Sequence, residues 1–165
     1  MTFRWKSTLL AAFGLVGFLS APASAQVYTL TATLTGAGES TVSTPAINTG
    51  GFGDATIVVD LTARTLTYTV RVFNLPSGVT ASHIHVGAAG TAGPVVVNFT
   101  VPSTSSNDFG YTGVVKDTEF VLRPDQGIRS ADDMFQAILG NNSYVNVHSS
   151  VNPGGEIRGQ LILKP

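Results

Sequence analysis

Apolar and polar residues alternate along most of this chain, the period expected of β-strands with one buried face. The clearest example lies within residues 64–74, where Leu66, Tyr68, Val70 and Val72 alternate with threonines and an arginine. Segments rich in glycine, serine, threonine and proline separate the alternating runs, and residues 36–53 form the longest of these predicted loops. Strands are predicted, among others, at Val27–Thr35, Ala81–Val86, Thr118–Leu122, Ser143–His148 and Glu156–Lys164.

One segment follows the helical period instead. Ser130 is a typical N-cap residue, and Asp133 follows it at the third helical position, where an acidic side chain is favourable. Met134 and Ile138 form an apolar stripe, and Gly140 marks the end of the helix. About seven or eight short strands with turns at regular intervals and one short helix predict an all-β fold, either an antiparallel β-sandwich or a Greek-key barrel.

The N-terminus has the pattern of an export signal. A basic start with Arg4 and Lys6 precedes an apolar run from Leu9 to Leu19, and residues 23–25 read Ala-Ser-Ala, the small-residue pattern of a cleavage site. The apolar run is shorter than the roughly 20 residues of a membrane span, so no stable membrane anchor is expected. We therefore predict a signal peptide over residues 1–25, cleaved after Ala25, and a single secreted or periplasmic domain over residues 26–165.

Charge and cysteine content exclude several classes of function. The chain has nine basic and ten acidic residues, and removal of Arg4 and Lys6 leaves seven against ten, a net charge of −3. Without a basic stripe, nucleic acid and anionic membrane surfaces are not expected partners. The chain has no cysteine, so it has neither a disulfide framework nor thiolate ligands for a metal.

All three histidines lie in two predicted strands. Because side chains alternate across a strand, His83 and His85 share one face of the first strand, while Tyr144, Asn146 and His148 share one face of the second. The intervening residues are aliphatic, so the imidazoles should point away from the core. Two imidazoles at positions i and i+2 and a third from an adjacent strand would form a three-nitrogen site suited to zinc or copper.

A structural reading of the same residues stays open beside the metal reading. In it, the polar side chains Asn146, Glu156 and Arg158 satisfy the imidazoles by hydrogen bonding, and the cluster stabilises the glycine-rich loops next to it. Glu156 and Arg158 also share a strand face, which favours either an ion pair between them or a shared role in holding the loops next to the histidines.

Two long motifs resemble the CHRD domain, the module named after chordin. They read HIHVGAAGTAGPVVV and, after the predicted helix, YVNVHSSVNPGGEIRGQL, and the similarity extends over Tyr28–Leu163. The resemblance implies an antiparallel β-sandwich of extracellular and exported proteins. The histidine pattern is also distantly similar to copper/zinc superoxide dismutase, with His83, His85 and His148 as candidate ligands. The chain lacks the cysteines and further histidines of those enzymes, so superoxide chemistry is not implied.

These observations predict a non-catalytic binding or structural module outside the cytoplasmic membrane, with an extracellular or periplasmic ligand or protein as its partner. The alternative is a mononuclear copper or zinc protein that uses His83, His85 and His148, with redox activity as a further option. No Ser-His-Asp order, phosphate loop or pair of carboxylates is present in the sequence, so no catalytic residue is assigned.

Overall fold

The computed structural model describes residues 26–75, 77–102 and 106–165, and the predicted signal peptide lies outside these residues. Within this part of the chain, no helix combines the length and apolar character needed to cross a membrane. The strands and the helix are, in chain order, β1 Val27–Thr35, β2 Phe52–Asp60, β3 Thr65–Phe73, β4 Ala81–Val86, β5 Val95–Asn98, β6 Phe109–Lys116, α1 Ala131–Leu139, β7 Ser143–His148, β8 Ile157–Gln160 and β9 Ile162–Leu163. Short 3-10 helices lie at Gly36–Glu39, Asp117–Glu119 and Pro124–Gln126.

The strands form one antiparallel sheet in the order β5-β4-β7-β8-β1-β2-β3-β6, with β9 paired to β1. The sheet curls until its ends nearly meet. Tyr68 of β3 stacks on Phe99, just after β5, with ring centroids 4.1 Å apart, and the Thr100 amide donates to the Tyr68 hydroxyl at 2.9 Å. The all-β antiparallel prediction is therefore confirmed, in the form of a nearly closed barrel.

The alternation seen in the sequence defines the core. Leu66, Tyr68, Val70 and Val72 are all buried, and the intervening residues of β3 are more exposed. The helix begins as predicted, because the Ser130 hydroxyl accepts a hydrogen bond from the Asp133 amide at 3.1 Å. The buried side chains of α1 join the same apolar cluster as the strands: Met134, Phe135 and Ile138.

Two strand predictions need correction. Thr118–Leu122 is not a strand, because the Glu119 carboxylate folds back to accept the Lys116 amide at 2.8 Å and closes a 3-10 turn. The C-terminal run is divided in two at Leu161, where β8 ends its pairing with β7 and β9 begins its pairing with β1. The sheet consequently has nine strands.

Candidate metal centre

The register of β4 and β7 brings the three histidines together. His83 pairs with Asn146 and His85 with Tyr144, so side chains from both strands share one face of the sheet. The aliphatic residues between them, Ile84 on β4 and Val145 and Val147 on β7, are fully buried in the core. The prediction that the imidazoles point away from the apolar interior is confirmed.

Much of the face that bears the histidines is covered, although His83 and His148 are only half-buried. We call it the histidine face, and its members are His83, His85, Tyr144, Asn146, His148, Glu156 and Arg158. Several of these polar residues are almost completely covered, with 5% of Asn146 and 4% of Glu156 and Arg158 exposed. The cover consists of three glycine-containing loops, residues 36–51, 87–94 and 149–155. The domain therefore has a buried polar layer on the outer side of β4, β7 and β8.

Each loop makes a specific contact with the histidine face. The Thr49 hydroxyl donates to Glu156 at 2.6 Å, and the Gly93 amide donates to the Tyr144 hydroxyl at 3.0 Å. Gly155 has a φ of 131° and lies directly against the Asn146 carboxamide, so close that a Cβ atom there would come within 2.7 Å of the amide oxygen. Only glycine fits this position, in both conformation and space.

The imidazole nitrogens converge. His83 Nδ1 and His148 Nε2 lie 3.2 Å apart, and one nitrogen from each of the three rings lies within 4.8 Å of the other two. Among the residues that the structure describes, these three histidines form the one group of potential metal ligands whose ligand atoms lie this close together.

Hydrogen bonds to backbone carbonyls fix two of the three rings, and the third, His83, is hydrogen-bonded to His148. His85 Nδ1 is 2.8 Å from the Gly93 carbonyl oxygen, and His148 Nδ1 is 3.0 Å from the Pro153 carbonyl oxygen. A carbonyl only accepts, so Nδ1 carries the proton in both rings and Nε2 presents a lone pair. His85 Nε2 is buried without a hydrogen-bond partner among the described residues. A buried polar atom without a partner costs free energy, and a bound ligand would remove that cost.

Burial also favours the neutral form, which is the form that binds metals, in His83 and His85. It lowers the pKa of His83 to about 4, and the neighbouring His148 and His85 rings act in the same direction. Burial lowers the pKa of His85 as well, helped by His148, Arg158 and Arg123 and opposed by the hydrogen bond to Gly93.

The arrangement fits a zinc or copper ion. Metal–nitrogen bonds of about 2.0–2.1 Å place the ligand nitrogens of one ion about 3.3–3.6 Å from each other. The His83–His148 pair already has nearly this separation, so only modest rotation of the rings is needed to bring in His85. Histidine ligands usually donate their second ring N–H to a carbonyl or carboxylate, as His85 and His148 do here.

The other polar residues of the face do not serve the imidazoles as expected. Asn146 donates to Glu39 at 3.4 Å, and Glu156 accepts from the hydroxyls of Thr49 and Ser149. Arg158 donates to the Thr91 carbonyl at 2.7 Å. The predicted hydrogen bonds from Asn146, Glu156 and Arg158 to the imidazoles are therefore wrong, because each side chain is engaged by a covering loop. Of the two alternatives for Glu156 and Arg158, the described residues show the shared role in holding loops and not the ion pair.

Two residues that sequence reasoning did not assign to the site contribute to it. The Tyr144 ring stacks on His85 with a centroid distance of 4.9 Å and an interplanar angle of 9°, and the Arg158 guanidinium lies 3.3 Å from the Tyr144 centroid on its other side. Glu39 faces Arg158 and Asn146 from the first covering loop. The contribution of Tyr144 could have been predicted, because strand alternation places it on the same face as His148. Nothing in the sequence around Glu39 marks it as part of the site.

Titration of Glu39 should make the stability of the fold depend on pH. Burial raises its pKa to about 7, although the Arg158 charge and the Asn146 hydrogen bond oppose this. The folded chain therefore holds this proton more tightly than the unfolded chain, and stability falls as the pH rises through the folded pKa. Since solvent screens part of the carboxyl group, we expect a loss of about 1–2 kcal/mol between roughly pH 5 and pH 8.

Denaturant unfolding of Glu39→Gln at both pH values checks this prediction. The variant should lack this part of the pH dependence, while Glu119→Gln, which removes a carboxylate from an exposed turn, should retain it. Equal pH dependence of Glu39→Gln and the unmodified chain would show that Glu39 is an ordinary surface acid.

A family model described as the CHRD domain matches residues 30–161. The match covers all of the strands that form the histidine face and most of the barrel. No curated protein and no solved structure matches the chain significantly.

Proposed function

Because the chain belongs to the CHRD domain family, we propose that it is a non-catalytic binding module that acts outside the cytoplasmic membrane, and that one of its ligands is a single zinc or copper ion held by His83, His85 and His148. Family membership supports a binding or structural module in an extracellular setting. The basic, apolar and small-residue pattern of residues 1–25 supports export.

The observation that favours a metal over a purely structural cluster is the state of His85. A structural histidine at this depth satisfies both ring nitrogens, but His85 fixes Nδ1 on a backbone carbonyl and leaves Nε2 buried with no partner among the described residues. That nitrogen lies among the ligand nitrogens of His83 and His148. The remaining polar residues of the histidine face have a structural role, since each one attaches a loop to the sheet.

Metal analysis of the purified chain tests the proposal. After exposure to zinc or copper and removal of free ions, the chain should retain one ion per molecule, measured by mass spectrometry of the metal. His148→Ala, which removes one of the two half-buried ligands, should retain none. Substoichiometric metal that does not change in His148→Ala would rule the site out and leave a metal-free binding module.

A further inference from the structure

We propose that the fourth coordination position of the metal ion is a binding site for a small inorganic anion, recognised by the Asn98 carboxamide and by the positive charge of Arg123. This inference rests on the proposed metal site and adds a second ligand to it.

The protein leaves the fourth position free. Zinc and copper sites with three histidine ligands hold a further ligand, and among the described residues no fourth histidine or carboxylate converges on the group. The strand order shows where this ligand enters. On one side of the histidines lie β7 and β8 under their covering loops. On the other side lies β5, the last strand of the sheet, with Val121 and Arg123 hydrogen-bonded to its carbonyls.

Asn98 lies on the β5 side of the histidines. It pairs directly with His83 across β4 and β5, so the two side chains lie on the same face of the sheet. The Asn98 side chain is exposed and makes no hydrogen bond to the residues that the structure describes. Its amide NH₂ group is therefore available to donate to a ligand placed next to His83.

The charges around the site favour an anion. Three neutral imidazoles leave the charge of a bound metal ion uncompensated. Arg123 adds positive charge at the β5 edge, where its Nε donates at 3.0 Å to the carbonyl of Val95, the residue paired with His85. Arg158 adds a second positive charge through its stack with Tyr144 and His85.

Two acidic residues of the described chain lie close to the histidine face, and both are on the covered side, away from β5. Glu39 faces Arg158 and Asn146, and Glu156 accepts hydrogen bonds from Thr49 and Ser149. An anion that enters past β5 therefore meets Asn98, Arg123 and the metal ion rather than a carboxylate. The side chains at this edge therefore favour a negatively charged ligand.

Azide titration of the chain loaded with Cu²⁺ tests the inference, because azide bound to Cu²⁺ gives a charge-transfer absorption band. We expect saturable binding, and Asn98→Ala should weaken it about tenfold, the effect of losing one hydrogen bond to a charged group. Arg123→Gln should weaken it about threefold at low ionic strength and less in high salt, because salt screens the attraction between the Arg123 charge and the anion. Arg71→Gln is the matched control, because Arg71 pairs with Asp54 on β2 and β3, away from the histidines, and azide affinity should not change.

The copper content of each variant is measured before azide is added, which separates the two proposals. A chain that takes up no copper overturns the proposed metal function. A chain that binds one copper ion but has the same azide affinity in Asn98→Ala, Arg123→Gln and Arg71→Gln overturns the anion site alone.

Discussion

Adding one methyl group at Gly159 should destabilise the domain by about 3 kcal/mol, because there is no room for it. A Cβ atom at this position of β8 would lie 2.1 Å from the Thr33 carbonyl oxygen and 2.8 Å from the Thr33 carbonyl carbon of β1. These are backbone atoms of a paired strand, so they cannot rotate away as the end of a side chain would. The strands would have to separate where β8 presents Arg158 to the histidine face.

Thermal unfolding measures this effect. For a domain of this size, the expected loss lowers the melting temperature of Gly159→Ala by roughly 6–12 °C. Gly154→Ala is the matched control, since a Cβ atom at Gly154 meets nothing within 4 Å, and it should change the stability by less than about 0.5 kcal/mol. Equal melting temperatures for the two variants would mean that β8 and β1 do not approach as closely as described.

The second large effect concerns metal affinity. His85→Ala removes the nitrogen that has no other partner and also the ring that Gly93 and Tyr144 hold in place. Loss of a residue that only hydrogen-bonds to a metal ligand already lowers metal affinity by roughly 10–100-fold. Loss of the ligand itself should cost more, so we expect the affinity of His85→Ala to fall by at least about 100-fold. Competition with a chromophoric chelator measures this affinity.

Because His85 is 9% exposed, its truncation also leaves a cavity, and the folded state of the variant must be checked by circular dichroism. Tyr144→Phe provides the comparison. It retains the ring that stacks on His85 and removes only the hydroxyl that contacts Gly93, so its affinity should fall by far less than that of His85→Ala. A folded His85→Ala chain with the affinity of the unmodified chain would exclude His85 as a ligand.

The parts of this structure that depend on local alternation were predictable from the sequence. The bounds of Val27–Thr35, Ala81–Val86 and Ser143–His148 match the observed strands, and the faces of their side chains follow from parity alone. The helix was also predictable from local sequence, because Ser130 and Gly140 are typical residues for its two ends.

The covering of the histidine face was not predictable, because it depends on contacts between distant parts of the chain. Thr49 and Glu39 each reach a partner 107 residues away, Glu156 and Asn146 respectively. Sequence alternation shows which side of a strand faces away from the core, but not whether a loop then covers it. For this reason the sequence could not decide whether Glu156 and Arg158 pair with each other or hold the loops, and the structure shows that each is engaged by a loop.

X-ray absorption spectroscopy of the chain loaded with one equivalent of zinc tests the central claim most directly. The account predicts three nitrogen neighbours at about 2.0–2.1 Å with the outer-shell scattering of imidazole, and one further light-atom ligand. A spectrum without imidazole outer-shell scattering, or one fitted by fewer than three imidazoles, would contradict the assignment of His83, His85 and His148 as the metal site.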